Sequence, residues 1–189
     1  AALLASQGVQ KGEVVSLLMP NSAEYVIAYF ACWKLGAIAG PVNSLLKPHE
    51  LVYILSNSEA KVLLIHSDFL PVIEGIRDEL PALGVVTVFD DELQAAPDLG
   101  PAQGLPGPNL NKDDEAIIIY TTGTTGKPKG CLLTHGNLIA NARQIVAWLN
   151  FTEDDRLLTI MPLFHMNAVS VTTMAALYSG GSTVVSLKF

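Results

Sequence analysis

The sequence predicts an α/β protein in which mostly parallel strands are covered by helices. Half of its 189 residues are hydrophobic, which is enough for a sizeable core. Short, unbroken runs of Val, Leu and Ile alternate with helical segments, and strands of this kind are typical of a parallel sheet buried on both faces. The strands predicted on this basis are 14–18, 37–42, 62–65, 85–89, 116–120, 157–160 and 183–186.

Helices are predicted between these strands from capping residues and apolar periodicity. Asn21 with Glu24 forms a capping-box pattern, and the helix that follows ends at Gly36. That helix is apolar on nearly every face, so we expect it to be buried. Two further helices are predicted at 48–56 and at 69–80, the second capped by Asp68. A third is capped by Thr134 and ends at Asn150, and its apolar face consists of Leu138, Ile139, Ile145, Val146 and Leu149. The last, 168–178, precedes a turn at Gly180 and Gly181.

The segment 90–114 interrupts the alternation of strands and helices. It is rich in proline, glycine and acidic residues, and we interpret it as an exposed connection. We therefore expect a first α/β subdomain with this connection at 1–112 and a second at 113–189. Both ends of the chain look truncated, which indicates a fragment of a longer protein. A sheet cut within its domain would expose apolar faces, so we expect self-association through the sheet edges.

Composition excludes several classes of protein. A net charge of −7 argues against a nucleic-acid surface, which is normally basic. The longest apolar run, 25–33, is far shorter than the roughly 20 residues of a membrane span. Cys32 and Cys131 lie in apolar segments and are expected to behave as small hydrophobic residues. Without a secretory leader, the expected location is the reducing cytoplasm.

Residues 120–130, Tyr-Thr-Thr-Gly-Thr-Thr-Gly-Lys-Pro-Lys-Gly, have the composition of a polyphosphate-binding loop. Hydroxyls, backbone N–H groups made accessible by glycine, and two lysines would all favour a multiply charged anion. The spacing does not match a Walker A loop, because Gly123 and Gly126 are too close together and Pro128 follows Lys127. An apolar strand precedes the loop, a second apolar segment, 131–133, follows it, and both are expected to be buried.

This loop resembles the signature of the adenylate-forming enzymes, a superfamily of acyl-CoA synthetases, luciferases and peptide-synthetase adenylation domains. Pro-Leu-Phe-His at 162–165 resembles a second motif of that superfamily, and 33–37 with 41–43 is similar to its region upstream of the loop. Adenylation domains usually carry Pro-Ile-Asp at the position of 41–43 and Phe-Asp-x-Ser-Val at that of 164–168. Both departures favour an acyl-CoA ligase, and the resemblance implies part of the large N-terminal domain.

The resemblance implies ATP-dependent activation of a carboxylic acid to an acyl adenylate, followed by thioester formation with coenzyme A. Lys129 matches the recurring lysine of the signature, and His165 matches the histidine beside the acyl pocket, so these two are the expected catalytic residues. Thr121 is also expected to meet Mg²⁺, and Lys127 is assigned to solvent. The residues expected to bind ATP are Thr121, Thr122, Gly123, Thr124, Thr125, Gly126 and Lys129.

Two alternatives remain open from the sequence. One is an adenylation domain or luciferase-like enzyme, which differs in the acceptor step; the other is a nucleotide-binding or interaction module without catalysis. The downstream Tyr-Gly-x-Thr-Glu motif, the ribose-binding aspartate and the C-terminal domain with its lysine do not occur in these 189 residues. We therefore expect that these residues alone make no acyl-CoA.

Overall fold

The computed structural model describes residues 1–90, 107–122 and 126–187. The strands in these ranges are β1 (Val14–Leu18), β2 (Ile38–Pro41), β3 (Val62–His66), β4 (Val85–Phe89), β5 (Glu115–Thr122), β6 (Pro128–Thr134), β7 (Arg156–Thr159) and β8 (Ser182–Val185). The α-helices are α1 (Ala2–Ser6), α2 (Ala23–Leu35), α3 (Pro48–Asn57), α4 (Leu70–Gly75), α5 (His135–Leu149) and α6 (Ala175–Tyr178). A π-helical segment, Ala168–Met174, leads directly into α6.

Six strands form one sheet in the order β4-β3-β1-β2-β5-β6. The first five are parallel, and β6 returns antiparallel to β5 as a hairpin. Strands β7 and β8 form a separate parallel pair. The predicted α/β class with mostly parallel strands is therefore confirmed. Strands β5 and β6 share a sheet with β1 to β4, and the division of the chain at 112/113 stays a prediction.

The sheet separates two apolar layers because successive side chains of a strand point to opposite faces. In β1, Val15 and Leu17 pack with α2 on one face, which we call the α2-side core. Val14 and Leu18 pack with α3 and α4 on the other face, the α3-side core. All five residues of β1 are buried, as expected for a central parallel strand covered on both sides.

Helix α2 differs from its prediction in its cap and in its exposed face. Ser22, not Asn21, is the N-cap, and its side chain accepts a hydrogen bond from the Tyr25 N–H at 3.1 Å. The expected burial on all sides is wrong for Ile27 and Phe30, which are 63% and 43% exposed. Because α2 covers only one face of the sheet, its outer side remains at the surface. Gly36, with φ of 70°, ends the helix as predicted.

The single helix predicted at 69–80 is broken into three short pieces. A 3₁₀ turn, Ser67–Phe69, precedes α4, and a second, Arg77–Glu79, follows it. Asp68 is not the cap, because the side chain of His66 accepts the hydrogen bond from the Asp68 N–H. At the other end of the segment, the Arg77 guanidinium donates to the Leu80 carbonyl at 3.0 Å, which closes the last turn.

The apolar segment after the loop forms an exposed edge of the sheet. Among the described strands β6 pairs with β5 alone, so one of its sides has no neighbouring strand. Cys131 is exposed and Leu132 is 45% exposed, and the expected burial of this segment is therefore wrong. Cys32 is buried as expected.

Helix α5 begins and ends where the sequence predicts. The Thr134 hydroxyl accepts from the Asn137 N–H at 3.2 Å, and Asn150 ends the helix at φ of 54°. Only part of its apolar face is covered, since Leu138 is buried while Ile139 and Leu149 are exposed. No helix within the described ranges combines the length and the hydrophobicity needed to cross a lipid bilayer.

Candidate functional site

The candidate site begins at the β5–β6 hairpin, whose register sets two predicted binding residues opposite each other. Thr121 pairs with Lys129, and Thr122 pairs with Pro128 at the end of the ladder. Directly opposite residues in an antiparallel pair have Cβ atoms about 4.5–5.5 Å apart and lie on the same face. Thr121 and Lys129 are both exposed, so a hydroxyl and an ammonium stand together where the loop leaves the sheet.

The loop follows the carboxyl end of β5, which is parallel to β1 to β4. In open parallel sheets, ligands bind beyond the carboxyl ends of the strands. Gly126 has φ of 95°, which favours glycine, and a Cβ built there would meet no atom within 4 Å. The expected roles of Gly123, Thr124 and Thr125 fall outside the described residues, as does the side chain of Thr122.

The alternation along β5 shows which face of the sheet carries Thr121 and Lys129. Ile117 and Ile119 pack in the α2-side core, whereas Ile118 and Tyr120 pack in the α3-side core. Thr121 continues the first series and therefore lies on the face of α2, together with its partner Lys129. Leu163 and Ala168, on either side of His165, belong to the same α2-side core. The two predicted catalytic residues thus lie on one side of the sheet.

Helix α2 connects β5 to the segment that carries His165. The Trp33 indole N–H donates to the Ala116 carbonyl at the start of β5, at 2.9 Å. One turn earlier, the Tyr29 hydroxyl donates to the Leu163 carbonyl at 2.7 Å. The Tyr29 ring stacks between Tyr25 and Trp33, with centroids 5.3 and 5.4 Å away. This buried aromatic stack fixes the two parts of the candidate site to one rigid element.

His165 lies in a tight turn between β7 and the π-helical segment. Its backbone N–H donates to the Pro162 carbonyl at 2.9 Å, and its carbonyl accepts from the Ala168 N–H at 3.1 Å. The imidazole is exposed and packs against Phe164 with ring centroids 4.5 Å apart. Within the described residues, no hydrogen bond joins this ring to Thr121 or Lys129. The structure therefore places the His165 turn on the same face of the sheet as Thr121 and Lys129, but the imidazole makes no hydrogen bond to either of them.

Helix α3 contacts the hairpin from the opposite face, through residues that sequence reasoning missed. The Tyr53 hydroxyl donates to the Pro128 carbonyl at 3.1 Å, and the Lys127 ammonium lies 5.6 Å from the centre of the Tyr53 ring. The Tyr120 hydroxyl donates to Asn57 at 2.8 Å. No sequence motif marks Tyr53 or Asn57, since both occur in an ordinary amphipathic helix.

The ionisation of Tyr120 agrees with its role as a donor. Burial, followed by the proximity of Tyr53, raises the pKa of Tyr120 to about 12. Its phenol therefore keeps its proton at neutral pH and remains available to Asn57. This contact holds β5 to α3 just before the loop begins.

A second group of charged residues lies at the other end of β5. The Lys11 ammonium bonds to the Asp114 carboxylate at 2.7 Å, and this hydrogen bond is the main reason that the pKa of Asp114 is lowered. Burial lowers the pKa of the neighbouring His135 imidazole. An open pocket beside Lys11 is lined by Asp113, Asp114 and Glu115. These groups lie at the amino-terminal end of β5, whereas the loop follows its carboxyl end, so they are not part of the candidate site.

Comparison with known proteins shows that the chain is similar to part of several CoA ligases. It is 36% identical over 188 residues to a long-chain-fatty-acid–CoA ligase, FadD13, of Mycobacterium tuberculosis, covering 99% of this chain and 37% of that protein. It is 36% identical over 203 residues to a crotonobetaine/carnitine–CoA ligase of Salmonella paratyphi A, covering 100% and 38%. The chain thus spans less than two-fifths of the length of these relatives.

Solved structures agree with this comparison. The anthranilate CoA ligase AuaEII, determined in complex with anthranoyl-AMP, superposes with a TM-score of 0.91 at 34% sequence identity. The match covers 100% of this chain and 37% of that one. The sequence model of the AMP-binding enzymes matches residues 1–189, and the chain therefore belongs to the AMP-binding enzyme family.

Proposed function

We propose that the full-length protein is an AMP-forming acid–thiol ligase. A carboxylate oxygen attacks the α-phosphorus of ATP, a P–O bond forms, and pyrophosphate leaves. The thiolate of coenzyme A then attacks the acyl carbon of the adenylate, and AMP leaves as the thioester forms. The named functions of the relatives support this proposal, and the 189 residues supply the proposed triphosphate site and one wall of the acid pocket.

The observation that carries the proposal is the pairing of Thr121 with Lys129 at the mouth of the loop. The ammonium of Lys129 is a compact charge for the β- and γ-phosphates, and the neighbouring hydroxyl donates to a phosphate oxygen. Each charge-assisted hydrogen bond of this kind contributes roughly 1.5–3 kcal/mol. Donors fixed on strands before the substrate arrives stabilise the charge that develops on pyrophosphate without reorganising.

Loop residues complete the proposed triphosphate site. Thr122, Thr124 and Thr125 would offer hydroxyl groups, and Gly123 and Gly126 would let the phosphates approach backbone N–H groups. The exposed position of Lys129 on the α2 face agrees with a ligand that approaches from that side. Lys127 lies against Tyr53 on the other face, which supports Lys129 as the lysine that meets ATP.

His165 is proposed to lie beside the acid and its adenylate. The turn that carries it is fixed by Tyr29 and by its own backbone hydrogen bonds, while the imidazole remains exposed to a ligand. Residues 165–168 would form one wall of the acid pocket, and the π-helical segment begins at the last of them. Segments of π-helix occur frequently at functional sites.

Mg²⁺ is proposed as the counter-ion of the triphosphate, with Thr121 as the residue of this chain that contacts it. Mg²⁺ usually keeps several waters and is held by few protein ligands together with substrate phosphates. A threonine or serine hydroxyl is one such ligand in P-loop enzymes. Within the described ranges, no three acidic, histidine or cysteine side chains group to hold a metal by themselves. When bound, the ion would neutralise phosphate charge.

The proposed setting is the cytoplasm, with a small-molecule carboxylic acid and coenzyme A as the substrates besides ATP. The net charge of −7 supports a protein without a nucleic-acid partner. Exposed apolar residues on β7 and β8, among them Leu158 and Val184, support self-association of the isolated 189 residues.

The proposal is tested with the purified full-length protein and a panel of carboxylic acids. Exchange of labelled pyrophosphate into ATP should depend on one class of acid, and release of AMP should then require coenzyme A. AMP release at the same rate without coenzyme A would contradict the ligase. The isolated 189 residues serve as the control, because they should form no thioester.

A further inference from the structure

We propose that Tyr53 is a positioning residue that fixes the exit of the phosphate loop and keeps Lys127 away from the phosphates. This inference rests on the proposed function of the loop, and it assigns a role to a helix outside the motif. It concerns one face of α3 and the strand residues that this face contacts.

The first contact is the hydrogen bond from the Tyr53 hydroxyl to the Pro128 carbonyl, 3.1 Å long. Pro128 is the first residue of β6 and pairs with Thr122, so it marks the point where the loop rejoins the sheet. Among the described strands, β6 lies at the edge of the sheet and pairs with β5 alone. A bond from α3 at this residue therefore restrains the position from which Lys129 projects.

The second contact is the position of the Lys127 ammonium, 5.6 Å from the centre of the Tyr53 ring. A cation within about 6 Å of an aromatic ring is attracted by the negative face of the ring. Tyr53 therefore holds Lys127 on the α3 side, whereas Lys129 pairs with Thr121 on the α2 side. The two lysine side chains are thus directed to opposite sides of the hairpin, and only Lys129 is on the side of the proposed triphosphate site.

A third contact shows that α3 holds both strands of the hairpin. Asn57 follows Tyr53 by four residues, so the two side chains share one face of the helix. Asn57 accepts from Tyr120 on β5 at 2.8 Å, while Tyr53 donates to β6. The two strands that flank the loop are therefore held by side chains one helical turn apart.

The test uses the full-length enzyme with Tyr53→Phe, which removes the hydroxyl and keeps the ring, and Tyr53→Leu, which removes both. Tyr178→Phe is the matched control, because Tyr178 is 49% exposed on α6, away from the hairpin. Tyr53→Phe should raise the KM for ATP about threefold to tenfold, the range expected for one lost hydrogen bond, and leave the KM for the acid unchanged. Tyr53→Leu should raise the KM for ATP further.

Amide hydrogen exchange of 126–134 in the ligand-free enzyme is the second readout. It should be faster in Tyr53→Phe than in Tyr178→Phe, at an unchanged unfolding temperature. If Tyr53→Phe lowers the unfolding temperature, Asn57→Ala is used instead, because it removes the contact between α3 and β5 that also restrains the hairpin. Equal KM for ATP and equal exchange in Tyr53→Phe and Tyr178→Phe would overturn the inference while leaving the proposed function intact. A wild-type enzyme without pyrophosphate exchange would instead refute the function, and hydrogen exchange would still decide whether Tyr53 holds the loop.

Discussion

The side-chain amide of Asn21 holds the backbone of Leu163, which lies 142 residues later in the chain. Its Oδ1 atom accepts from the Leu163 N–H at 2.7 Å, and its Nδ2 atom donates to the Met161 carbonyl at 3.0 Å. Asn21 is only 9% exposed, so these bonds are shielded from water. With the Tyr29 hydroxyl on the Leu163 carbonyl, they fix the turn before His165 to the N-terminal end of α2.

Replacing Asn21 should therefore destabilise the protein. Asn21→Ala leaves the buried Leu163 N–H without its partner, and we expect the free energy of unfolding to fall by about 1–3 kcal/mol. Urea denaturation measures this loss. Asn109→Ala, at an exposed position, is the control and should change stability by less than about 0.5 kcal/mol. Equal midpoints for the two variants would show that Asn21 does not hold the turn.

Gly181 should not tolerate a side chain. A Cβ at this position would lie 2.5 Å from the Asp155 carbonyl oxygen and 3.1 Å from the Thr152 carbonyl oxygen. Both are backbone atoms, so relieving the clash requires a shift of the main chain. We expect Gly181→Ala to lower stability by about 1–3 kcal/mol by overpacking. Gly75→Ala is the matched control, because a Cβ there meets nothing within 4 Å. Thermal unfolding of both variants measures the difference, and equal midpoints for Gly181→Ala and Gly75→Ala would contradict the expectation.

Stability should decline in alkaline solution because of three buried groups on α2. Burial raises the pKa of Tyr25 and Tyr29 well above their ordinary value, and it raises the pKa of Cys32 from 9.0 to about 12. The folded state thus holds these protons more tightly, so their contribution is complete below the unfolded pKa values and is lost as the pH rises above them. Between its unfolded and folded pKa values, each group lowers the free energy of unfolding by about 1.4 kcal/mol per pH unit.

Urea midpoints measured from about pH 8 to about pH 11 test this dependence. Cys32→Ala is the informative comparison, because it removes the group with the lowest ordinary pKa. The variant should begin its decline about one pH unit higher, where the tyrosines ionise in the unfolded chain. A wild-type midpoint that stayed constant over this range would contradict the assignment.

The described strands other than β6, and the caps at Gly36, Thr134 and Asn150, were predictable from the sequence because local chemistry determines them. Short runs of Val, Leu and Ile bounded by turn residues favour parallel strands buried on both faces, as in β1 and β3. The N-cap of α2 was assigned to Asn21 instead of Ser22, since local spacing suits both residues. The partners of Asn21 lie at 161–163, and a local pattern cannot reveal contacts so far along the chain.

Exposure was harder to predict than secondary structure. The segment 131–133 is as apolar as a central strand, yet the strand order places β6 at the edge of the sheet and leaves Cys131 exposed. Motif matching indicates Thr121, Lys129 and His165 but not Tyr53, because the contacts of Tyr53 depend on α3 lying against the hairpin. The face shared by Thr121 and the His165 segment follows only from the packing of β5.

The proposed binding of the triphosphate by the β5–β6 hairpin is tested by comparing Lys129 with Lys127. ATP–pyrophosphate exchange is measured for Lys129→Ala and Lys127→Ala in the full-length enzyme. We expect Lys129→Ala to lower the rate on the order of 10²-fold or more, as when a preorganised donor to developing charge is removed. Lys127→Ala should change it only a few-fold, because its ammonium contacts Tyr53 on the other face. An unchanged rate in Lys129→Ala, or equal losses in both variants, would contradict the assignment.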